Sequence, residues 1–305
     1  MESARVEERS VVRAWLMRGT VHLVPADDYR WMLGLFGPPT ARQSRRRLAQ
    51  LGVDGDAQER ALAIIERALA DGGALSRNAI ADRLERGGLG LTPETRVHLI
   101  RVVVAEGVAC IGPDEGASGT LVATDEWLGS HGATAERGAA VVELARRYLG
   151  AFAPASARDF AKWSGLPLRD CRAGLERIAG EVDELGGPDH LLAPRGARLR
   201  APRSPLVRLL PAFDTYLMGY ASRAHAVDAA GEGRILPGGG VLRPTVCVDG
   251  RLVGLWSSRR SGRRLEVAVE PFERLPPEWT EAIEAEVGDL GRFDGLEATG
   301  RRSGP

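Results

Sequence analysis

The chain has 305 residues, 44% apolar and 27% charged, and its 41 basic and 41 acidic side chains cancel at neutral pH. That length accommodates several domains with cores of their own, while the zero balance excludes attraction of a partner by global positive charge, so a nucleic acid has to be met by local patches. Cys110, Cys171 and Cys247 form no CxxC pair, which argues against a disulfide framework or a zinc ribbon and fits a cytoplasmic compartment.

The opening MESARVEERSVVR is charged and lacks the apolar core of a signal peptide, and no apolar run reaches membrane-spanning length, so no membrane partner is expected. RAWLMRGTVHLVP, residues 13–25, reads as strands flanking a polar knot of Arg18, Gly19, Thr20 and His22. Alternate strand residues share a face, which predicts that Arg18, Thr20 and His22 point together. Two readings stand: a polar cluster tying the sheet, or the lining of a nucleic-acid site. ARQSRRR, Ala41–Arg47, gathers Arg45, Arg46 and Arg47 into a basic patch.

From residue 57 to 200 one plan runs twice. Leu62, Ile65 and Leu69 keep helical spacing, as do Val142, Ala145 and Leu149. Ser76 and Ser156 are N-caps for short helices, and the step between them also takes Leu69 to Leu149 and Ala81 to Ala161. A Gly-containing turn and another helix follow, with Thr92 and Pro93 in N-cap and N1 order. GVACIGP with GTLVAT, and EVDELGG with HLLAP, then read as hairpins. Helix, helix-turn-helix and hairpin wing is the winged-helix plan, used for DNA and for protein partners alike. The helices that would enter a groove mix signs: Arg96 and Arg101 with Glu94, and Arg169, Arg172 and Arg177 with Asp170 and Glu176. His98 falls within such a helix as a surface or packing residue.

Beyond residue 205 the pattern turns to strands. Asp249–Gly250 between alternating apolar residues is a hairpin signal. SSRRSGRR links the strand ending at Trp256 to LEVAVEPF, and a helix around Trp279, Ile283 and Val287 closes the domain. Arg259, Arg260, Arg263 and Arg264 make this link the densest positive charge in the chain. It reads either as a solvated hairpin tip or as a hairpin lying on DNA phosphates or in a minor groove. PRGARLRAPRSPLVR, Pro194–Arg208, is a third patch. No Walker A, GxGxxG, HExxH or GxSxG motif occurs, and no cofactor or metal is expected.

Two motifs carry a resemblance. W-x-x-RGT-x-H-x-V at Trp15, Arg18, Gly19, Thr20, His22 and Val24, and LLP-x-FD-x-Y-L-x-GY at Leu209, Leu210, Pro211, Phe213, Asp214, Tyr216, Leu217, Gly219 and Tyr220, resemble the winged-helix DNA glycosylases of the AlkZ type. Those enzymes excise N7-alkylated purines and unhook interstrand crosslinks. The likeness runs from Val11 to Glu270. It implies an α+β chain of tandem winged-helix domains followed by a small C-terminal β-barrel-like domain. It also implies water activation by a Gln-x-Gln or Gln-x-Asp motif upstream of the RGT segment. Gln43, Gln50 and Gln58 all lie downstream and form no such pair. Residues 11–25 are therefore expected to be the wing of an incomplete first winged helix, with Trp15, Leu16, Trp31, Leu33 and Phe36 short of part of their core.

The expected domains are residues 1–50, the incomplete winged helix and a connecting helix; 51–130 and 131–203, two winged helices; and 204–300, the barrel-like domain with its closing helix. The expected partner of this cytoplasmic monomer is double-stranded DNA, alkylated or crosslinked DNA included, contacted by Arg18, Thr20, His22, Arg45, Arg46, Arg47, Arg259, Arg260, Arg263 and Arg264. No catalytic residue is nominated. Three functions stay open: a DNA-binding relative of repair glycosylases, an active monofunctional glycosylase, and a non-catalytic protein-interaction module.

Overall fold

The computed structural model describes residues 2–116, 118–129, 131–187, 189–198 and 205–302. The chain mixes helices and strands throughout, and they fall into two compact units. One unit comprises the chain up to Arg146 together with Ser164–Ile178; the other comprises Arg147–Trp163 together with the chain from Ala179 onward.

The first unit begins with a short helix α1 (Glu2–Val6) and the hairpin β1 (Val11–Trp15) and β2 (Val21–Pro25). Four helices follow: α2 (Ala26–Gln50), α3 (Gly55–Ala70), α4 (Arg77–Arg86) and α5 (Pro93–Ala105). Then come the hairpin β3 (Ala109–Glu115) and β4 (Ser118–Ala123), the short α6 (Thr124–Leu128), and α7 (Arg137–Phe152), whose last turns belong to the second unit. The four strands form one sheet in the order β2-β1-β3-β4, joined where Arg13 pairs with Ile111. Asp114 secures that joint, accepting from Arg5 Nη1 at 3.1 Å and from both terminal nitrogens of Arg13. The Arg13 hydrogen bonds, aided by Arg5, hold its carboxyl below the usual aspartate range.

The repeated plan has a local physical basis. Ser76 Oγ accepts from Ala79 N, and Thr92 Oγ1 accepts from Thr95 N, which satisfies backbone donors the helices leave open. In the second copy the cap is reciprocal: Asp159 N donates to Ser156 Oγ, while Ser156 N donates to Asp159 Oδ2 at 2.9 Å. Ahead of each cap one residue bridges to the following hairpin. Leu75 exchanges both backbone hydrogen bonds with Leu121, and Ala155 does the same with Leu192. The sequence repeat is thus repeated down to single backbone bridges.

Leu62, Ile65 and Leu69 of α3, Ile80 and Leu84 of α4, Leu99 and Val103 of α5, and Leu121 of β4 share one buried core. Leu16, Trp31 and Phe36 are also buried, and Trp15 and Leu33 half-buried, so the expected shortage of core around them is not found. The reason is that α2 lies along α5. The approach is closest at Gly37, where a Cβ would stand 2.2 Å from the carbonyl oxygen of Ala105.

In the second unit, the end of α7 and α8 (Ala157–Ser164) bring Tyr148, Phe152, Phe160 and Trp163 together, with ring centroids 5.1–6.4 Å apart. Helix α9 (Leu168–Arg177) belongs to the first unit. The ribbon β5 (Val182–Gly186) and β6 (Leu191–Pro194) precedes β7 (Val207–Leu210), α10 (Thr215–Met218), α11 (Ala229–Ile235), β8 (Thr245–Val248), β9 (Arg251–Ser261), β10 (Arg264–Pro271), α12 (Pro277–Asp294) and β11 (Glu297–Arg302). Tyr148 Oη donates to the Gly219 carbonyl at 2.7 Å and Tyr220 Oη to the Phe152 carbonyl at 2.9 Å. Gly219 is required there, because a Cβ would meet the Phe152 ring at 2.5 Å.

The five C-terminal strands form an open half-barrel sheet in the order β11-β10-β9-β8-β7. Helix α12 covers one face through Ile283 and Val287 against Val246, Val267 and Val269. Leu217 of α10 and Ile235 of α11 cover the other, over Cys247, Leu252 and Leu255. The Asp249–Gly250 hairpin forms as expected, with φ of 49° and 83° at the two turn residues. SSRRSGRR is not a linker. Strand β9 continues to Ser261, only Gly262 and Arg263 turn, and β10 begins at Arg264. Leu265, Val267 and Val269 carry the pairing outward, so the polar residues opposite them stay extended. Strand β11, with the sequence EATGRR, is held by parallel pairing to β10.

Replacing Gly37 by Ala should lower the urea midpoint by an amount equivalent to about 1–3 kcal/mol, since the new methyl meets backbone that cannot swing away. Gly34→Ala, on the open side of the same helix with nothing within 4 Å, should instead raise stability by roughly 0.5–1 kcal/mol.

Candidate nucleic-acid interface

The knot between β1 and β2 is a turn. The backbone passes through Met17–Gly19, with Arg18 at φ 54° and Gly19 at φ 67°. Glycine enters that region freely, whereas for arginine it costs about 1–2 kcal/mol. Because β1 ends at Trp15 and β2 resumes at Val21, Arg18 does not share a strand face with Thr20 and His22. Its side chain runs past Gly165, between α8 and α9, where a Cβ would stand 2.9 Å from Arg18 Cγ. Arg18 reaches the surface, yet partial burial still draws its pKa below the usual arginine value.

Thr20 and His22 do meet. Thr20 Oγ1 donates to the Met17 carbonyl at 3.0 Å. His22 Nε2 lies 3.2 Å from the same carbonyl and 2.9 Å from Thr20 Oγ1. A ring nitrogen facing a carbonyl carries its hydrogen, so Nε2 is assigned as the donor. Burial holds the His22 pKa below the ordinary histidine value; the Met17 bond opposes this and the nearby Arg18 charge adds to it. The knot is first a lock on the hairpin tip.

The first arginine patch divides. Arg45 grips Glu106 with Nε at 2.8 Å and Nη2 at 3.1 Å, and reaches Glu59 at 2.6 Å. The Glu106 hydrogen bond, with Glu59 adding to it, lifts the Arg45 pKa above its ordinary value. Arg47 pairs with Glu94 at 2.7 Å. Arg46 is exposed and has no partner among the described residues. In the third patch Arg195 pairs with Asp183 and Arg208 with Glu286, while residues 199–204, with Arg200 and Arg203, lie outside the described residues.

The β9–β10 ribbon differs. Arg259, Arg260, Arg263 and Arg264 are all exposed, and none of their guanidiniums has a hydrogen-bond or ion-pair partner among the described residues. They do not share one face. Opposed residues point the same way, so Arg259, facing Glu266, and Arg264, facing Ser261, lie on the open side, while Arg260, facing Leu265, lies on the other. Glu297 stands beside Arg264 across the parallel pairing.

Burial pushes the Cys110 thiol up to about 12 and those of Cys171 and Cys247 up to about 11, so none is a ready nucleophile at neutral pH. Among the described residues no three His, Cys, Asp or Glu side chains gather to hold a metal. Gln58 is buried, its Nε2 donating to the carbonyls of Val53 and Arg45 at 2.9 and 3.3 Å. Charge-based reading of the sequence passed over Phe213. It lies within the LLP-x-FD-x-Y-L-x-GY motif, but only its backbone angle and exposure set it apart: φ is 60° and the residue is 51% exposed.

Comparison with known proteins adds three findings. A family model described as "DNA glycosylase AlkZ-like" matches residues 1–293. An interstrand DNA cross-link repair glycosylase of Streptomyces sahachiroi is 28% identical over 316 residues, covering 95% of this chain and 81% of that protein. The solved structure of the Streptomyces sahachiroi DNA glycosylase AlkZ matches with a TM-score of 0.77 at 24% identity, over 97% of this chain and 83% of that one, a likeness of fold.

The His22 lock has a pH signature. With its folded pKa below the unfolded value of about 6.5, its stabilising contribution is complete above that value and is lost as pH falls through the folded pKa. His22→Gln should therefore flatten the fall in melting temperature between pH 7 and pH 5, measured by circular dichroism; an unchanged slope would remove His22 as its source.

Proposed function

The chain belongs to the AlkZ-like DNA glycosylase family, and from that premise we propose that it binds double-stranded DNA, alkylated or crosslinked duplexes included, through winged-helix modules and the arginine ribbon of β9–β10. The observation that carries this reading is the contrast among the arginines. Arg45 and Arg47 are neutralised by Glu59, Glu94 and Glu106, whereas Arg259, Arg260, Arg263 and Arg264 are left with solvent. Unpaired guanidiniums at the turn end of β9 and β10, an end edged by β11, suit phosphate contact or minor-groove entry, because no internal ion pair has to break first.

Residues 51–130 and 131–203 supply the modules in this reading. Each has a capped short helix, a third helix, and a hairpin stitched back by one bridge at Leu75 or Ala155. The chain at 204–300 supplies the ribbon on its half-barrel sheet. Arg18, Thr20 and His22 serve as a rigid hairpin tip, with the Arg18 guanidinium as its phosphate contact.

A second reading, hydrolysis of the N-glycosidic bond of an alkylated base, is favoured by the family match over residues 1–293 and by the likeness to the Streptomyces cross-link repair glycosylase. That reaction needs a positioned water and stabilisation of positive charge developing on the sugar. Gln58 is occupied by two backbone carbonyls, so it does not offer that water an acceptor and donor pair.

Fluorescence anisotropy on a labelled duplex, unmodified or carrying one N7-methylguanine, tests the first reading across a salt series. Tight binding at low salt with a steep negative log–log slope is expected; absence of binding at low salt would overturn it. Replacing all four ribbon arginines with Gln should flatten the slope by roughly one unit for each phosphate no longer neutralised. Arg45→Gln should lower the melting temperature and leave the slope unchanged. Alkali-labile breaks at the methylated guanine would establish the second reading, and intact strands after prolonged incubation would exclude it for that lesion.

A further inference from the structure

Two unfavourable features meet at Phe213. Its backbone lies in the left-handed region, with φ of 60°, and half of the residue faces solvent. A bulky L-residue is a genuine outlier in that region, and an exposed phenyl forgoes the burial that would offset it. The surrounding loop is firmly held. Asp214 Oδ1 accepts from Tyr216 N at 2.8 Å, Tyr216 Oη donates to the Gly250 carbonyl at 2.8 Å, and Trp256 Nε1 donates to the Leu210 carbonyl at 2.8 Å. None of these bonds involves the 213 side chain, and glycine would take the same turn without strain. Exposure alone is not the signal. Phe293 is 88% exposed, but on regular helix α12 between Arg292 and Asp294. At Phe213 the fold holds an aromatic ring outward against its own backbone preference, a pattern that points toward function.

Its position gives the ring a partner. Leu210, the last residue of β7, is level with Thr245 and through it with Leu255. Leu210 and Leu255 both pack beneath α10 and α11, and from Leu255 strand β9 runs on, uncovered, to Arg259 and Ser261. Pro211–Phe213 therefore leaves the sheet where its covered face ends and the arginine ribbon begins. Pro211 and Ala212 are exposed as well, so the loop presents a small apolar apex at the sheet level from which β9 runs on to the unpaired guanidiniums.

We propose that Phe213 is an aromatic wedge that stacks on a base of the bound duplex while the neighbouring ribbon arginines hold the phosphates. The assignment rests on the DNA-binding reading above. Apolar side chains inserted at a base step unstack it and kink the duplex. Stacking on an aromatic face tolerates any base, and a base leaving the helix needs its place filled.

The test uses the full chain with Phe213→Gly, Phe213→Leu and Phe213→Tyr. Duplexes carrying 2-aminopurine report unstacking by fluorescence, and anisotropy reports affinity at fixed salt. Phe213→Gly should melt about 2–4 °C higher, because strain is relieved, yet bind duplex roughly 5- to 50-fold more weakly and lose the 2-aminopurine signal. Its salt slope should match wild type, since the phosphate contacts are intact. Phe213→Tyr should keep affinity and signal, whereas Phe213→Leu should lose both if stacking rather than bulk is the source. Wild-type affinity and signal in the Gly or Leu variant, with wild-type protein binding in a salt-dependent manner, would overturn the wedge alone. Failure of wild-type protein to bind duplex at low salt would overturn the DNA-binding reading and the wedge with it.

Discussion

A chain with equal numbers of acids and bases keeps a cation free only where the fold brings no carboxylate near it. That constraint organises the surface. Asp114 takes Arg5 and Arg13 and so joins the N-terminal hairpin to β3. Glu59 and Glu106 take Arg45, and Glu94 takes Arg47, along the side of α2. Each pair is partly exposed and adds only modestly to stability. On the ribbon of β9 and β10, as at Arg46, the guanidiniums make no ion pair among the described residues, although Glu266 faces Arg259 and Glu297 stands beside Arg264.

Backbone pairing places those arginines as surely as charge does. The half-barrel sheet is packed on both faces near β7 and β8, where α12 and the α10–α11 segment meet it. Beyond Leu255 the α10–α11 cover stops and the ribbon continues, its outer edge held by β11. Apolar residues at Leu265, Val267 and Val269 keep β10 straight, and polar β9 follows by cross-strand hydrogen bonding. The Pro211–Phe213 loop emerges at that transition. Membership of a DNA glycosylase family gives the combination of free guanidiniums and one strained aromatic a common context.

The opening hairpin shows how local chemistry can be read two ways from sequence. Arg18, Thr20 and His22 alternate, which suggests one strand face. In the structure the chain turns at Met17–Gly19, so Thr20 and His22 converge on one carbonyl while Arg18 runs along Gly165. A turn with left-handed arginine has no sequence signature beyond the adjacent glycine.

Short-range physics in this protein was written in the sequence itself. The caps at Ser76, Thr92 and Ser156, the Asp249–Gly250 turn, the repeated helical plan and the apolar stripes of α3 to α5 each depend on residues a few positions apart. Their energies are decided before distant parts of the chain meet. Tertiary structure alone decided which arginines are neutralised, that SSRRSGRR is strand, that Gly37 must lack a side chain against Ala105, and that Phe213 faces solvent. Most of those outcomes depend on partners tens of residues away, such as Glu106 for Arg45, Ala105 for Gly37 and Trp256 for the loop root at Leu210. Coulomb attraction, hydrogen bonding and steric exclusion act over a few ångströms of space, and sequence separation does not report that distance.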